Sequence, residues 1–174
     1  MVTPHIEILC EALAQVLIAR KMSMVTAESC TGGLIAASCT QLSGSSAWFE
    51  RGFVTYSNAA KSELLGVPSS LIETQGAVSE EVAKAMALGA LAHSPAHISV
   101  AVTGIAGPTG GSAAKPVGTV WFAWAWRDSQ HALHSEAMFR QFEGTRSEVR
   151  YATTELALAH LTELVEKTAA LHSK

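Results

Sequence analysis

The chain is organised around residues 26–34, which read Thr26-Ala27-Glu28-Ser29-Cys30-Thr31-Gly32-Gly33-Leu34. An apolar, strand-like run ends here in a polar turn with two glycines, and a helical pattern follows. Such a junction places hydroxyl groups beside the backbone N–H groups of a helix N-terminus, which carry partial positive charge. The pattern therefore indicates either anion binding or nucleophilic catalysis. The alternative is that Ser29 or Thr31 only caps the helix.

Hydrophobic periodicity divides the chain into alternating helices and strands. Helices interleaved with strands and closed by a hairpin predict an α/β layered fold around a mixed sheet. In chain order, the predicted elements are a helix over 3–21, a strand over 24–27, a helix over 32–41, a loop over 42–50, a strand over 52–56, a short helix that starts at Ser57 or Asn58 and ends near Gly66, a helix from Ser79, a strand over 98–102, a hairpin of strands over 118–126 and 131–140, and a helix from Thr145.

The length of 174 residues suits a single domain spanning 1–174. Hydrophobic residues make up 48% and charged residues 16%, which excludes a disordered chain. The net charge of −3 supplies no broad attraction to nucleic acid or to an anionic membrane. No apolar run approaches the roughly 20 residues of a membrane span, and the amino end lacks a signal-peptide pattern. We therefore expect a cytoplasmic protein that binds neither nucleic acid nor membrane.

Few residues are available as a general base. Asp128 is the only aspartate and lies in the predicted hairpin turn, which argues against an aspartate-oriented Ser-His-Asp triad. Tyr56 and Lys61 flank one strand-to-helix junction, and a desolvated lysine can deprotonate a serine near neutral pH. From spacing alone, the alternative is a tyrosine at the core edge and a lysine in solvent. The histidines are interpreted as surface residues, although a glutamate could orient one of them: His5, His93, His97, His131, His134, His160 and His172.

Cys30 is a rival nucleophile beside Ser29, because a helix N-terminus lowers the pKa of a thiol, and its alternative role is packing. The three cysteines, Cys10, Cys30 and Cys39, lack Cys-x-x-Cys spacing, so we predict free thiols and no metal site. Ser-x-x-Lys spacing occurs over 112–115, inside a glycine-rich loop. Because that motif requires a helix and companion signatures, the spacing does not indicate a β-lactamase-type serine.

The glycine-rich loop over 103–111 follows a predicted strand. Its glycines let backbone N–H groups approach an anion, as in a phosphate or carbonyl cradle, and an ordinary surface loop is the alternative. Neither the Walker nor the dinucleotide spacing is present, so nucleotide triphosphate hydrolysis is unsupported. Arg146, near the start of the last predicted helix, is a candidate phosphate ligand or else a solvated residue.

Five segments occur along the chain in the order TAESCTGG, GSSAWFERGFVTYSNAAK, GAVSEEVAKAMALGA, VTGIAGPTGGSAAKPVGTV and FEGTRSEVR. Together they resemble the CinA carboxy-terminal domain family, over about residues 6–165. The resemblance implies a three-layer α/β/α sandwich around the mixed sheet and a homo-oligomer. Through the stand-alone members, it also implies deamidation of nicotinamide mononucleotide to nicotinate mononucleotide and ammonia, in pyridine nucleotide recycling. No cofactor and no metal are expected for that reaction.

The resemblance also implies roles by position. Ser29 in ESCTGG would attack the carboxamide carbon, Lys61 in YSNAAK would be the base, and Tyr56 would be a hydrogen-bonding partner or proton relay. The oxyanion would be bound by backbone N–H groups of Cys30, Thr31, Gly32 and Gly33. The nucleotide would be held by Thr103, Gly104, Gly107, Gly110, Gly111 and Arg146. Two departures, Arg51 in place of a glycine and a Pro108-Thr109 pair without an extra glycine, bear on substrate access.

Two other functions stay open at this stage. One is a non-catalytic nucleotide-binding module of the same fold, linked to competence or the DNA-damage response. The other is hydrolysis of a different pyridine ribonucleotide or small amide. A nucleic-acid role predicts basic patches, which the charge balance does not supply, whereas a hydrolase requires Ser29, Tyr56 and Lys61, which are all present. We therefore favour the enzyme.

Overall fold

A computed structural model describes residues 3–170, with the backbone alone at 168–170. Helices and strands alternate in the first third of this range, and three helices and then three strands follow. In chain order they are α1 (Pro4–Ala19), β1 (Met24–Glu28), α2 (Leu34–Thr40), β2 (Phe49–Val54), α3 (Asn58–Leu65), α4 (Ser69–Gln75), α5 (Glu80–Ala92), β3 (Ile98–Gly104), β4 (Thr119–Arg127), β5 (Leu133–Gln141) and α6 (Arg146–Ala170).

The five strands form one mixed sheet in the order β2-β1-β3-β4-β5. β1 pairs in parallel with β2 and with β3, whereas β4 pairs antiparallel with both of its neighbours. Glu28, the last residue of β1, lies opposite Val54 of β2 and Val102 of β3. The carboxyl ends of the three parallel strands thus meet at one edge of the sheet, which is where open α/β sheets bind ligands.

Helices cover both faces of the sheet, which confirms the predicted three-layer sandwich. Successive residues of a strand point to opposite faces. Val100 of β3 therefore packs with apolar residues of α1, α2 and α6, and its neighbour Ala101 packs with those of α3, α4 and α5. On the second face, a Cβ atom at Gly89 of α5 would lie 2.1 Å from the carbonyl oxygen of Leu65. This glycine allows α3 to approach α5 closely.

β4 and β5 form the predicted antiparallel hairpin. β4 lies between two strands and is buried over most of its length, as its nearly continuous apolar sequence predicts. The carboxylate of Asp128 accepts hydrogen bonds from the N–H groups of Gln130 at 2.8 Å and Ala132 at 2.9 Å. Asp128 therefore closes the hairpin turn. It lies away from the sheet edge at which the carboxyl ends of the parallel strands meet.

β2 differs from its predicted range. It begins at Phe49, inside the predicted loop over 42–50, and ends at Val54, two residues before the predicted end. β2 is an edge strand whose residues are half-buried or exposed. Polar residues such as Glu50 and Arg51 are favoured at an edge, and they interrupt the apolar alternation on which the prediction depended.

α4 is absent from the prediction. It follows Pro68, which lies at its N-cap position, and it is seven residues long. A helix of two turns offers too few positions for a clear apolar period, so the sequence signal is weak. Within residues 3–170, no helix has the length and apolar character that crossing a membrane requires.

Candidate active site

Ser29 stands at the carboxyl end of β1, in the turn that precedes α2. Its N–H group donates to the carbonyl oxygen of Val102 at 3.0 Å, and its own carbonyl oxygen accepts from the N–H group of Gly32 at 3.0 Å. Ser29 is 8% exposed and lines a cavity at the edge of the sheet. Both backbone groups of Ser29 are thus fixed by hydrogen bonds, while the residue faces a space that a ligand can enter.

α3 brings Lys61 to Ser29. The Oγ atom of Ser57 accepts a hydrogen bond from the N–H group of Ala60 at 3.0 Å and caps this helix, as predicted. Lys61 is 1% exposed, and its Nζ atom lies 3.1 Å from Ser29 Oγ and 2.8 Å from the carbonyl oxygen of Thr55. The alternative of a solvent-facing lysine is therefore wrong, because the first turn of α3 points Lys61 inward.

Burial controls the protonation of Lys61. Removal from water lowers the pKa of its ammonium group below the ordinary lysine value. Among residues 3–170, no carboxylate forms an ion pair that would offset this loss of hydration. A neutral amine has two N–H bonds and one lone pair. When one N–H donates to the carbonyl oxygen of Thr55, the lone pair can face the Ser29 hydroxyl and accept its proton.

The pKa of the Cys30 thiol argues against Cys30 as the rival nucleophile. It is 5% exposed, and burial raises the pKa of its thiol to about 12. A protonated thiol is a poor nucleophile, since the thiolate is the reactive form. The partial positive charge expected at the start of α2 does not outweigh this burial. Cys10, Cys30 and Cys39 are all free thiols, which confirms the prediction.

Tyr56 lies at the rim of the cavity with Arg146. Tyr56 is 60% exposed, and its hydroxyl oxygen accepts a hydrogen bond from Arg146 Nη2 at 2.8 Å. Arg146 Nη1 donates to the carbonyl oxygen of Gly107 at 2.9 Å. Within the described part of the chain, the Tyr56 hydroxyl makes no hydrogen bond to Ser29 or Lys61. The structure thus joins Tyr56 to the guanidinium group rather than to the Ser29–Lys61 pair.

The cavity beside Ser29 has a volume of about 200 Å³. Sites for entire small-molecule ligands usually measure roughly 300–1,000 Å³. The space therefore suits a ring-sized group, and a larger ligand would extend past the rim. Its main lining residues come from the ends of β1, β2 and β3 and from α3 and α6: Ser29, Cys30, Tyr56, Lys61, Thr103 and Arg146.

Within the described residues, the first amides of α2 itself are hydrogen-bonded, whereas most amides of the turn before it meet no oxygen acceptor. The N–H groups of Ile35 and Ala36 donate to the two carboxylate oxygens of Glu28, at 3.0 and 2.8 Å. The N–H group of Gly32 is also taken, by Ser29. Within residues 3–170, the remaining amides of the turn donate to no oxygen atom of the chain, and they belong to Cys30, Thr31 and Gly33.

The glycine-rich loop contributes less of the cavity wall than predicted. Thr103 and Gly104 line the cavity, whereas Gly107, Gly110 and Gly111 do not. Thr103 Oγ1 donates to the carbonyl oxygen of Ala77 at 2.7 Å. A Cβ atom at Gly111 would lie 2.7 Å from the backbone nitrogen of Val117, so this glycine permits the loop to pack on itself. Likewise Thr31, Gly32 and Gly33 shape the turn without lining the cavity.

Sequence reasoning missed three charged residues that hold the cavity walls. Glu28 lies within the quoted stretch and caps α2. Its position directly before Ser29 was the only sequence signal for this role. Arg150 donates from Nε and Nη2 to the carbonyl oxygen of Thr31, at 3.2 and 2.6 Å. Lys115 donates to backbone carbonyl groups next to Ala77. The last two contacts join distant parts of the chain, which no local pattern indicates.

The histidines lie away from the cavity. His5, His93, His97, His131 and His134 are exposed, as predicted, and His172 lies outside the described residues. His160 is a correction, because it is half-buried. Its Nε2 atom lies 2.5 Å from Glu136 Oε1, and its ring packs on Trp124 with a centroid separation of 4.2 Å. Packing of α6 on β4 buries this ring, and none of these residues lines the cavity.

Comparison with known proteins identifies the family of this chain. The family model described as the CinA C-terminal domain matches residues 6–165. The chain belongs to this family. It is 60% identical over 124 residues to a protein of Enterobacter agglomerans named nicotinamide-nucleotide amidohydrolase PncC, with 71% of this chain and 73% of the relative covered.

Two further members support the assignment to the CinA C-terminal domain family. The Escherichia coli K12 protein of the same name is 50% identical over 153 residues, with 88% of this chain and 90% of the relative covered. The crystal structure of the competence/damage inducible protein CihA from Agrobacterium tumefaciens superposes with a TM-score of 0.86 at 44% identity. That comparison covers 94% of this chain and 98% of the other.

Proposed function

We propose that the chain hydrolyses the carboxamide of nicotinamide mononucleotide to give nicotinate mononucleotide and ammonia, with Ser29 as nucleophile and Lys61 as base. The observation that carries the proposal is the 3.1 Å separation of Lys61 Nζ and Ser29 Oγ in a buried setting. Two relatives at 50% and 60% identity are named nicotinamide-nucleotide amidohydrolase, which supports an amidohydrolase acting on a nicotinamide nucleotide.

The first half of the reaction forms an ester on the enzyme. Neutral Lys61 accepts the proton of the Ser29 hydroxyl while Oγ attacks the carboxamide carbon. The carbonyl oxygen becomes an oxyanion, for which the proposed donor is the backbone amide of Cys30, because Cys30 lines the cavity and Thr31 and Gly33 do not. As the tetrahedral intermediate collapses, the C–N bond breaks and Lys61 returns its proton to the leaving nitrogen. Ammonia departs, and the nicotinoyl group stays on Ser29.

The second half reverses the proton movements with water. Lys61, again neutral, accepts a proton from a water molecule that attacks the ester carbon. Collapse of this intermediate breaks the bond to Ser29 Oγ, which recovers its proton from Lys61. The product is a carboxylic acid, which ionises at neutral pH. Across both halves, the proton transfers use only the Ser29–Lys61 pair and one water molecule.

Arg146 is the residue that we expect to meet the nucleotide phosphate. Its guanidinium group lies at the exposed rim, and arginine forms strong paired hydrogen bonds to phosphate oxygens. Tyr56 accepts from this group at 2.8 Å, so its proposed role is that of a hydrogen-bonding partner that orients Arg146. The reaction recycles a pyridine nucleotide, and we expect the enzyme to act in the cytoplasm as a homo-oligomer.

The test is ammonia release from nicotinamide mononucleotide by purified wild type, Ser29→Ala and Cys30→Ala, with a chelator present throughout. We expect release from wild type and from Cys30→Ala, and none from Ser29→Ala. Release that also vanishes in Cys30→Ala, with that variant folded, would contradict the choice of nucleophile. A folded wild type that releases no ammonia would favour a different amide or the binding-module function.

A further inference from the structure

Glu28 is a fully buried carboxylate that the proposed reaction does not use. It is the last residue of β1 and directly precedes Ser29. Its Oε2 atom accepts from Thr31 Oγ1 at 2.7 Å and from the N–H group of Ile35 at 3.0 Å. Its Oε1 atom accepts from the N–H group of Ala36 at 2.8 Å and from Thr26 Oγ1 at 3.3 Å. Every partner is a donor, and a carboxylate is a side chain that can only accept.

The carboxylate of Glu28 connects the two ends of the turn that contains Ser29. Gly33, at the N-cap position of α2, has no side chain with which to cap the helix. Glu28 supplies the missing cap from the strand before the turn, because it binds the second and third amides of α2. One side chain thus holds the end of β1 to the start of α2, and residues 29–33 form the loop between these two fixed points.

We infer that Glu28 is a positioning residue that fixes Ser29 Oγ against Lys61 by tying β1 to α2 through its carboxylate. The kinetic test of this role rests on the proposed function, because it uses nicotinamide mononucleotide as substrate. Ser29 moves with the turn, whereas Lys61 is held by α3 and by the carbonyl oxygen of Thr55. The N–H group of Thr55 donates to the backbone carbonyl oxygen of Glu28 at 2.8 Å, a contact that a change in the Glu28 side chain leaves in place. Loosening the turn therefore changes the distance between nucleophile and base, whereas Arg146 at the cavity rim keeps its own hydrogen bonds to Gly107 and Tyr56.

Glu28→Gln keeps the shape of the side chain and removes half of its acceptors. The amide NH2 of glutamine would face an N–H group of α2, and two donors cannot satisfy each other. A displacement of about 1 Å in a reacting group can cost a factor of about 100 in rate. We therefore expect kcat on nicotinamide mononucleotide to fall about 100-fold, with KM changed by less than about threefold. A second readout is the rate at which a serine-reactive fluorophosphonate labels Ser29, which we expect to fall in parallel.

Two further variants separate positioning from stability. Thr31→Val removes one hydroxyl donor and keeps the carboxylate and the helix cap. We expect this variant to fold even if Glu28→Gln does not, with a loss of about threefold to tenfold in kcat. Thr153→Val is the matched control. Thr153 is equally buried, and its hydroxyl donates at 2.7 Å to a carbonyl oxygen within α6. We expect this control to lower the melting temperature and to keep wild-type kcat, KM and labelling rate well below that temperature.

The outcomes are distinguishable. Wild-type kcat and labelling in Glu28→Gln would overturn the inference, as would a loss that Thr153→Val reproduces at equal melting temperature. A loss confined to KM would also overturn it, because that result would place Glu28 in substrate binding. If wild type is inert on nicotinamide mononucleotide, yet Ser29 is labelled and the label depends on Glu28, the proposed substrate fails and the positioning role stands.

Discussion

Lys115 Nζ donates to the carbonyl oxygen of Val78 at 2.7 Å, and so fastens the chain just after the glycine-rich loop to the segment between α4 and α5. A second donation reaches the carbonyl oxygen of Gln75 at 3.0 Å. Ala77 and Val78, which line the cavity, thus lie between Lys115 and the hydroxyl group of Thr103. One wall of the cavity depends on these side-chain-to-backbone bonds.

Lys115→Met is expected to raise KM for nicotinamide mononucleotide about tenfold and to change kcat by less than about twofold. The wall carrying Ala77 and Val78 loses two donors, whereas the Ser29–Lys61 pair is unaffected, so binding suffers more than chemistry. Steady-state kinetics measure the split. Lys84→Met is the control. Among the described residues Lys84 bonds only to Glu80, on the surface of α5, and such pairs contribute little. An unchanged KM in Lys115→Met would contradict the proposed role of the wall.

The pH dependence of the reaction is expected to follow Lys61. Burial lowers the pKa of Lys61, so the base form appears below the ordinary lysine value of about 10.4. We expect kcat/KM to rise with pH and to level off above this lowered pKa. Lys61→Arg should be inactive at every pH, because its guanidinium group stays charged. A profile without a rising limb, or an active Lys61→Arg variant, would contradict lysine as the base.

The same burial makes the stability of the fold depend on pH. Between the lowered pKa of Lys61 and the ordinary lysine value, the unfolded chain binds a proton that the folded chain does not. Stability therefore rises with pH through this window, and below it the penalty for burying the charged form is constant. We expect this increment in wild type and not in Lys61→Met. Melting temperatures of the two proteins, measured across the same pH series, give the difference; parallel curves would argue against a lowered pKa.

Tyr56→Phe distinguishes an orienting role from a proton relay. The hydroxyl group of Tyr56 bonds to Arg146 and not to the Ser29–Lys61 pair. We expect KM to rise about threefold to tenfold because Arg146 loses one partner, with kcat close to wild type. A solvent isotope effect should likewise be unchanged. If kcat instead falls 100-fold or more at unchanged KM, Tyr56 takes part in proton transfer and the hydrogen bond to Arg146 is incidental.

Gly89→Ala tests how the spacing of α3 and α5 supports the site. The added Cβ atom would lie 2.1 Å from the carbonyl oxygen of Leu65, at the end of the helix that carries Lys61. Overpacking of this kind costs about 1–3 kcal/mol. We expect that loss in urea unfolding, together with a drop in kcat measured where the variant is fully folded. Wild-type kcat in the folded variant would show that Lys61 is held independently of this contact.

The sequence predicted the part of the site that depends on neighbouring residues. Ser29 follows from a strand, a turn and a helix in immediate succession, and the inward position of Lys61 depends on a cap at Ser57 only four residues earlier. Periodicity likewise located β1 and the β4–β5 hairpin. The parallel neighbours of β1 bring Ser29 to the same sheet edge as Thr103, whereas the chain order of helices and strands predicted only a mixed sheet and no strand order.

The missed parts depend on contacts between distant residues or on edge positions. Arg150 reaches Thr31 from α6, and Lys115 reaches Val78, so neither partner can be identified from spacing. The hydrogen-bonded amides at the start of α2 were missed for a different reason. Glu28 lies within the quoted stretch, but only the fold shows that its side chain turns back to cap the helix. β2 was misplaced because an edge strand tolerates polar residues.

The two members of the proposed catalytic pair belong to different layers of the sandwich. Ser29 is held with α2 and, through Arg150, with α6 on one face, whereas Lys61 belongs to α3 on the other face. A small displacement of one helical layer along the sheet would separate nucleophile and base while both hydrophobic clusters still excluded water. We therefore expect turnover to be lost at a lower temperature than the cooperative unfolding transition seen by circular dichroism. Activity would then depend on the alignment of the layers, and circular dichroism on their unfolding.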